Sequence, residues 1–141
     1  MSKSVMTNDG ELILDSHKLS YHMDRVNAWE AGEKIAPVTV DMALTRACGS
    51  MCKFCYAMMQ EPQKRHGIKV HHALNLLDDF AEVGVRGVSL VSDGESTLSK
   101  AYGPFVQHAA KVGINVGNAT NAWEWGPEKS EQVLPHMSWI R

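Results

Sequence analysis

Residues 37–58 read PVTVDMALTRACGSMCKFCYAM. The first eight are rich in β-branched side chains and partly alternate, the pattern of a strand. The remainder is a loop that holds Cys48, Cys52 and Cys55, and the chain has 3 cysteines in all. A strand running straight into a chemically loaded loop is how a βα unit begins, so the fold depends on whether the unit repeats.

It does repeat. HHALNLLDDFAEV (71–83) puts Leu74, Leu77, Phe80 and Ala81 at helical spacing, with Gly84 as the stop. VRGVSLVS (85–92) reads as the second strand. YGPFVQHAAKV (102–112) carries Phe105, Val106, Ala109 and Val112 on one face and ends at Gly113. INVGNAT (114–120) is a third strand, PEKSEQVLPHM (127–137) a short helix cut by Pro135, and SWIR (138–141) the start of a fourth strand. Alternation of this kind predicts an α/β fold, a parallel sheet and right-handed crossovers. Residues 1–36 are a lead-in segment and 37–141 the main domain. The lead-in is expected to be frayed to about Glu11, then helical over 22–31 with Val26 and Trp29 as its apolar contacts.

In parallel α/β folds the working loops lie at the carboxyl ends of the strands. Here those loops are ACGSMCKFCYAM (47–58), SDGESTLS (92–99) and NATNAW (118–123). They are also the segments richest in reactive and polar side chains.

Composition narrows the class. With 44% hydrophobic and 21% charged residues over 141 positions, the chain has enough apolar material for a core. Its formal net charge of -2 supplies no positive field for nucleic acid. No apolar run reaches membrane-spanning length, and the polar N-terminus lacks a signal core. The expectation is a cytoplasmic protein with no membrane or nucleic-acid partner. In a reducing compartment clustered thiols point to metal or catalysis rather than disulfides.

Three thiolates leave two metal readings open. A histidine, such as His66, His71 or His72, would complete a Cys3His zinc site. Alternatively, three thiolates hold three irons of a cubane and leave the fourth iron open for a ligand. His17, His22, His66, His108 and His136 show no pairing at ligand spacing and read as structural, and His71 and His72 open a helix that they would cap or solvate. Met51, Met58 and Met59 are expected to be packing residues. Trp123 and Trp125 are candidates for a substrate cleft or for burial.

Cys48-x3-Cys52-x2-Cys55, straight after the first strand and with Phe54 and Tyr56 flanking the last cysteine, resembles the signature of the radical S-adenosylmethionine (SAM) superfamily. Ser92-Asp93-Gly94-Glu95 after the second strand resembles that family's Gly-Gly-Glu motif, with Asp93 in place of the first glycine and Ser96 where proline often follows. Thr120-Asn121 resembles an element found after the third strand. The resemblance implies a partial TIM barrel of which this chain supplies roughly half, incomplete at its C-terminus. It implies that Cys48, Cys52 and Cys55 bind a [4Fe-4S] cluster. Phe54, Asp93, Gly94, Glu95, Thr120 and Asn121 would contact S-adenosylmethionine, and the reaction would begin with hydrogen-atom abstraction by a 5′-deoxyadenosyl radical. An electron donor and a substrate are then required, neither of which the residues name, and no catalytic side chain is assigned. A half barrel would expose an edge strand and an apolar inner face, so the chain is expected first to be a fragment of a longer protein, and otherwise to be completed by a second half-barrel chain or by self-association. The rival readings are a non-catalytic Cys3His zinc module and a cluster-binding chain that does not turn SAM over.

Overall fold

The computed structural model describes residues 3–6, 12–14, 18–50, 52–59, 67–91 and 93–141. His17, Met51, His66 and Ser92 lie outside the described residues. The chain divides into two compact units, Met1–Ile35 and Ala36–Arg141.

The first unit holds an antiparallel pair, β1 (Lys3–Met6) with β2 (Leu12–Leu14), in place of the frayed segment expected to Glu11. The sequence between the strands contains Asn8-Asp9-Gly10, a strong turn signal whose flanks were too short to read as strands by periodicity. A 3-10 turn at Lys18–His22 leads into α1 (Met23–Glu30). Helix α1 has no buried residue, and Trp29, expected as an apolar contact, is 66% exposed.

The second unit follows the expected alternation. Strand β3 (Thr39–Asp41) precedes the cysteine loop, and α2 (Val70–Glu82), β4 (Gly87–Leu90), α3 (Tyr102–Lys111), β5 (Asn115–Asn118), α4 (Pro127–Val133) and β6 (Trp139–Ile140) complete it. Pro135 converts the end of the last helix to a 3-10 turn, Leu134–His136. The sheet is parallel throughout, in the order β3-β4-β5-β6. The strands are shorter than the sequence runs, because only their middles pair.

Strand alternation divides the side chains between two faces. Val88, Leu90 and Val116 point to the helices and are buried with Ala73 and Leu77 of α2, Phe105, Val106 and Ala109 of α3, and Val133 of α4. Leu44 and Ile114 close this core at its ends. Each such large side chain removed from water contributes about 1.5–3 kcal/mol, which is why the helical stripes settle on this face. Asp78 of α2 accepts or shares a hydrogen bond with His108 of α3 at 2.6 Å, joining the two helices on their outer side.

The opposite face corrects one expectation. In register across the sheet stand Asp41, Ser89, Gly117 and Trp139, and beside them Thr39, Gly87 and Asn115. Apart from Trp139 these are small or polar, so the inner face is not the apolar surface expected of a packed barrel interior. The apolar edge is real: Trp139 and Ile140 are both exposed on β6.

Candidate functional site: three loops at the carboxyl edge of the sheet

The cysteine loop leaves and returns at one point. Beyond β3, Thr45 pairs with Gly67, and Ile68 N–H donates to Leu44 C=O at 3.0 Å. The excursion between them is thereby closed at its base. Within it, Thr45 Oγ1 accepts from Ala47 N–H (3.1 Å), Cys48 Sγ accepts from Ser50 N–H (3.4 Å), and Cys55 N–H donates to Cys52 C=O (3.0 Å). All three cysteines are free thiols; Cys52 is exposed, and Cys48 and Cys55 are half-buried. Phe54, at the outer end of the loop, is 92% exposed, and Tyr56 is exposed as well.

The loop after β4 is zipped to the start of the cysteine loop. Glu95 N–H donates to Ala47 C=O at 2.7 Å. Gly94 has φ +75°, and a Cβ there would lie 2.3 Å from Thr45 O and 2.7 Å from Arg46 C. Only glycine accepts both the left-handed backbone and that approach. Asp93 faces Arg46, with 3.6 Å between Oδ2 and Nε, a partly exposed pair worth at most about 0.5 kcal/mol.

Glu95 is the hub. Its side chain is 4% exposed. Oε1 accepts from Thr97 N–H (3.1 Å), Thr97 Oγ1 (2.7 Å) and Thr120 Oγ1 (2.8 Å), and Oε2 accepts from Asn121 N–H (2.9 Å). A carboxylate has about four acceptor positions, and this one spends them inside the fold. It caps the short turn Ser96–Leu98 and clasps the loop after β5 at the same time.

The third loop is shaped around that clasp. Thr120 Oγ1 accepts from Ala122 N–H (3.0 Å), and Asn121 Oδ1 accepts from Trp123 N–H (3.0 Å). Ala122 sits at φ +56°, a conformation costing a non-glycine residue roughly 1–2 kcal/mol. Asn121 Nδ2 donates to Ser50 Oγ (2.9 Å) and lies 3.8 Å from Cys48 Sγ. The two tryptophans part company. Trp123 is exposed, whereas Trp125 donates to Ser130 Oγ (2.7 Å) and packs edge-on against Tyr102.

Behind the loops Tyr102 accepts from Asn118 Nδ2 (3.0 Å) and donates to Met137 Sδ (3.7 Å). Burial pushes its phenol up to about 12; the Asn118 hydrogen bond opposes the rise and the Glu95 charge adds to it. Asn118 Oδ1 is buried, with no hydrogen-bond partner among the described residues.

The structure therefore brings Cys48, Asp93, Gly94, Glu95, Thr120 and Asn121 to one edge of the sheet. Ser50 and Thr97, which sequence reading passed over, belong to the same network. Their one sequence signal is local: a hydroxyl two residues after Cys48 or Glu95, placed to bond back within a turn. His71 and His72 stand on the exposed first turn of α2 with ring centres 4.0 Å apart. Among the described residues, no three His, Cys, Asp or Glu side chains converge as ligands of a single metal ion.

No protein-family model matches the chain. It is 29% identical over 101 residues to the sporulation killing factor maturation protein SkfB of Bacillus subtilis (strain 168), covering 72% of this chain and 24% of that protein. It is 27% identical over 120 residues to an S-adenosylmethionine-dependent nucleotide dehydratase of Flammeovirga pacifica, covering 82% and 40%. The chain thus spans two fifths or less of the curated relatives it matches. Among solved structures, BtrN in complex with AdoMet and 2-DOIA superposes with TM-score 0.64 at 12% identity, over 76% of this chain and 46% of BtrN. Streptococcus suis SuiB bound to the precursor peptide SuiA superposes with TM-score 0.65 at 18% identity, over 86% and 27%. The α/β fold with four parallel strands is part of the same partial TIM barrel. A C-x3-C-x2-C loop leaves the first strand of that sheet, as in the radical SAM signature that it resembles, and one of the two curated relatives is an S-adenosylmethionine-dependent enzyme by name.

Proposed function

We propose that this chain is the cluster-bearing part of a radical SAM enzyme, with Cys48, Cys52 and Cys55 as ligands of a [4Fe-4S] cluster. The observation that carries the reading is the convergence of three loops on one point. Ala47 C=O holds Glu95 N–H, the Glu95 carboxylate holds Thr120 and Asn121, and the Asn121 amide reaches Ser50 and Cys48. When bound, cluster and SAM together supply reductive carbon–sulfur cleavage and a 5′-deoxyadenosyl radical that abstracts hydrogen from a substrate.

The chain's own residues do the positioning. Gly94 lets the second loop lie against the first, so that Asp93, Gly94 and the Glu95 backbone border the cysteine loop where the methionine part of SAM would bind. The Glu95 carboxylate supports this by orienting Thr120 and Asn121. Phe54, exposed at the loop end, offers its backbone and ring to the adenine side. The inner row Asp41, Ser89 and Gly117 lies below these loops on the face away from the helices and would form part of the substrate cavity floor. An electron donor, the substrate and the remaining barrel strands, from the same or a second chain, complete the enzyme.

The test is anaerobic reconstitution, iron and sulfide analysis and electron paramagnetic resonance of the reduced protein with and without SAM. The reading expects about four irons per chain, a signal that changes shape when SAM is added, and loss of both in Cys48→Ala, Cys52→Ala and Cys55→Ala. Zinc in place of iron would reject it in favour of a zinc module. A cluster indifferent to SAM would leave a cluster-binding chain without turnover.

A further inference from the structure

Asn121 is held more firmly than a loop asparagine requires. Its backbone N–H is fixed by Glu95 Oε2 at 2.9 Å, and its side-chain oxygen is identified by the Trp123 N–H that it accepts at 3.0 Å. That second bond settles which end of the amide is nitrogen. The NH2 group must face the cysteine loop, where it donates to Ser50 Oγ at 2.9 Å and stands 3.8 Å from Cys48 Sγ. An amide nitrogen carries two protons, so both contacts can be made at once. Cys48 Sγ is already the acceptor for Ser50 N–H at 3.4 Å. The same sulfur thus receives a backbone and a side-chain donor from two different loops.

Donors on a ligating thiolate withdraw negative charge from the metal. They stabilise the more electron-rich, reduced state of a cluster and raise its reduction potential. We propose that Asn121 is a positioning residue for the Cys48 thiolate, whose amide donates to Cys48 Sγ and sets the cluster's reduction potential above the value that the thiolates alone would give. The inference rests on the cluster reading above. It gives the loop after β5 a role toward the metal, and it explains why the Glu95 carboxylate is spent on that loop's backbone: the clasp fixes the direction of the amide.

Two variants and one label test it. Asn121→Asp keeps the oxygen that accepts Trp123 N–H, so the turn survives while the donor is lost and a charge is added. Asn121→Ala removes the donor without adding charge. Reconstituted wild-type and variant proteins are titrated potentiometrically and followed by electron paramagnetic resonance. Iron per chain should match wild type, and the midpoint should move to more negative potential in both variants, further in Asn121→Asp. A midpoint in Asn121→Ala equal to wild type overturns the inference while leaving the cluster reading intact. Wild-type protein that takes up no iron–sulfur cluster overturns both. If Asn121→Ala does not hold the cluster, pulsed resonance of reduced wild-type protein labelled with 15N in asparagine side chains decides. A 15N coupling to the cluster supports the bond, and a spectrum identical to unlabelled protein overturns it.

Discussion

Glu95 Oε2 accepts the backbone N–H of Asn121 at 2.9 Å, across 26 positions of sequence. Through this contact the loop after β4 commands the loop after β5. Because Glu95 N–H is itself bound to Ala47 C=O at 2.7 Å, all three loops share one anchor. Replacing the carboxylate by an amide would leave a buried NH2 facing N–H and hydroxyl donors. Glu95→Gln is expected to lose about 2–3 kcal/mol of stability, seen as a fall on the order of 10 °C in Tm. An unchanged unfolding midpoint would show that the clasp is not needed.

Gly94 should tolerate no side chain. Alanine there would combine a left-handed φ with a Cβ at 2.3 Å from Thr45 O. The expected cost of Gly94→Ala is on the order of 3 kcal/mol, because the obstacle is backbone that belongs to the closed base of the cysteine loop. Denaturant unfolding measures it, and cluster loading should fall in parallel. Wild-type stability in this variant would mean that the two loops do not lie against each other.

Gly117 and Trp139 form a pair across the last two strands. A Cβ on Gly117 would lie 2.0 Å from Trp139 Cε2, so the indole occupies the space over the glycine. Gly117→Ala should cost about 1–2 kcal/mol by displacing the ring. In a Trp139→Ala background the same change should cost close to nothing. A double-mutant cycle reads the coupling directly, and additive effects would sink the packing assignment.

Tyr102 makes stability depend on alkaline pH. Its folded pKa, about 12, lies above the ordinary value of 10.0, so folding favours the neutral phenol. The contribution is complete below pH 10 and is lost as pH rises through about 12, because the unfolded chain releases the proton first. The loss is on the order of 2 kcal/mol. Ultraviolet titration of the folded protein should show one tyrosine ionising late, and Tyr102→Phe should remove that step and flatten the stability profile above pH 10.

Much of the framework could be read directly. Leu77, Phe105, Val106 and Ala109 lie at helical spacing, and the apolar positions of β4 and β5 lie at strand spacing, so local geometry already dictated which side of each element is buried. The cysteine spacing and the position of Asp93-Gly94-Glu95 after a strand were equally local. Because each of these loops follows a strand, local order alone puts them at the carboxyl edge of the sheet. Where local signals were weak, the reading failed: β1 and β2 were missed because they are too short for periodicity, and Trp29 is exposed although it is apolar.

What only the tertiary structure decided is the direction in which polar groups point. Glu95 reads as a carboxylate free to meet a ligand, yet it is turned inward, because two donors of neighbouring Thr97 and two from Thr120 and Asn121, 25 and 26 positions away, outcompete water for it. Asn121 reads as a turn residue, but its amide is aimed at Cys48 through bonds to Glu95 and Trp123. The inner row of Asp41, Ser89 and Gly117 depends on strand register, which no single segment encodes. Spacing along the chain determines which residues share a loop; the geometry between loops determines which of them act on one another, since hydrogen bonds form only where distance and angle are met together.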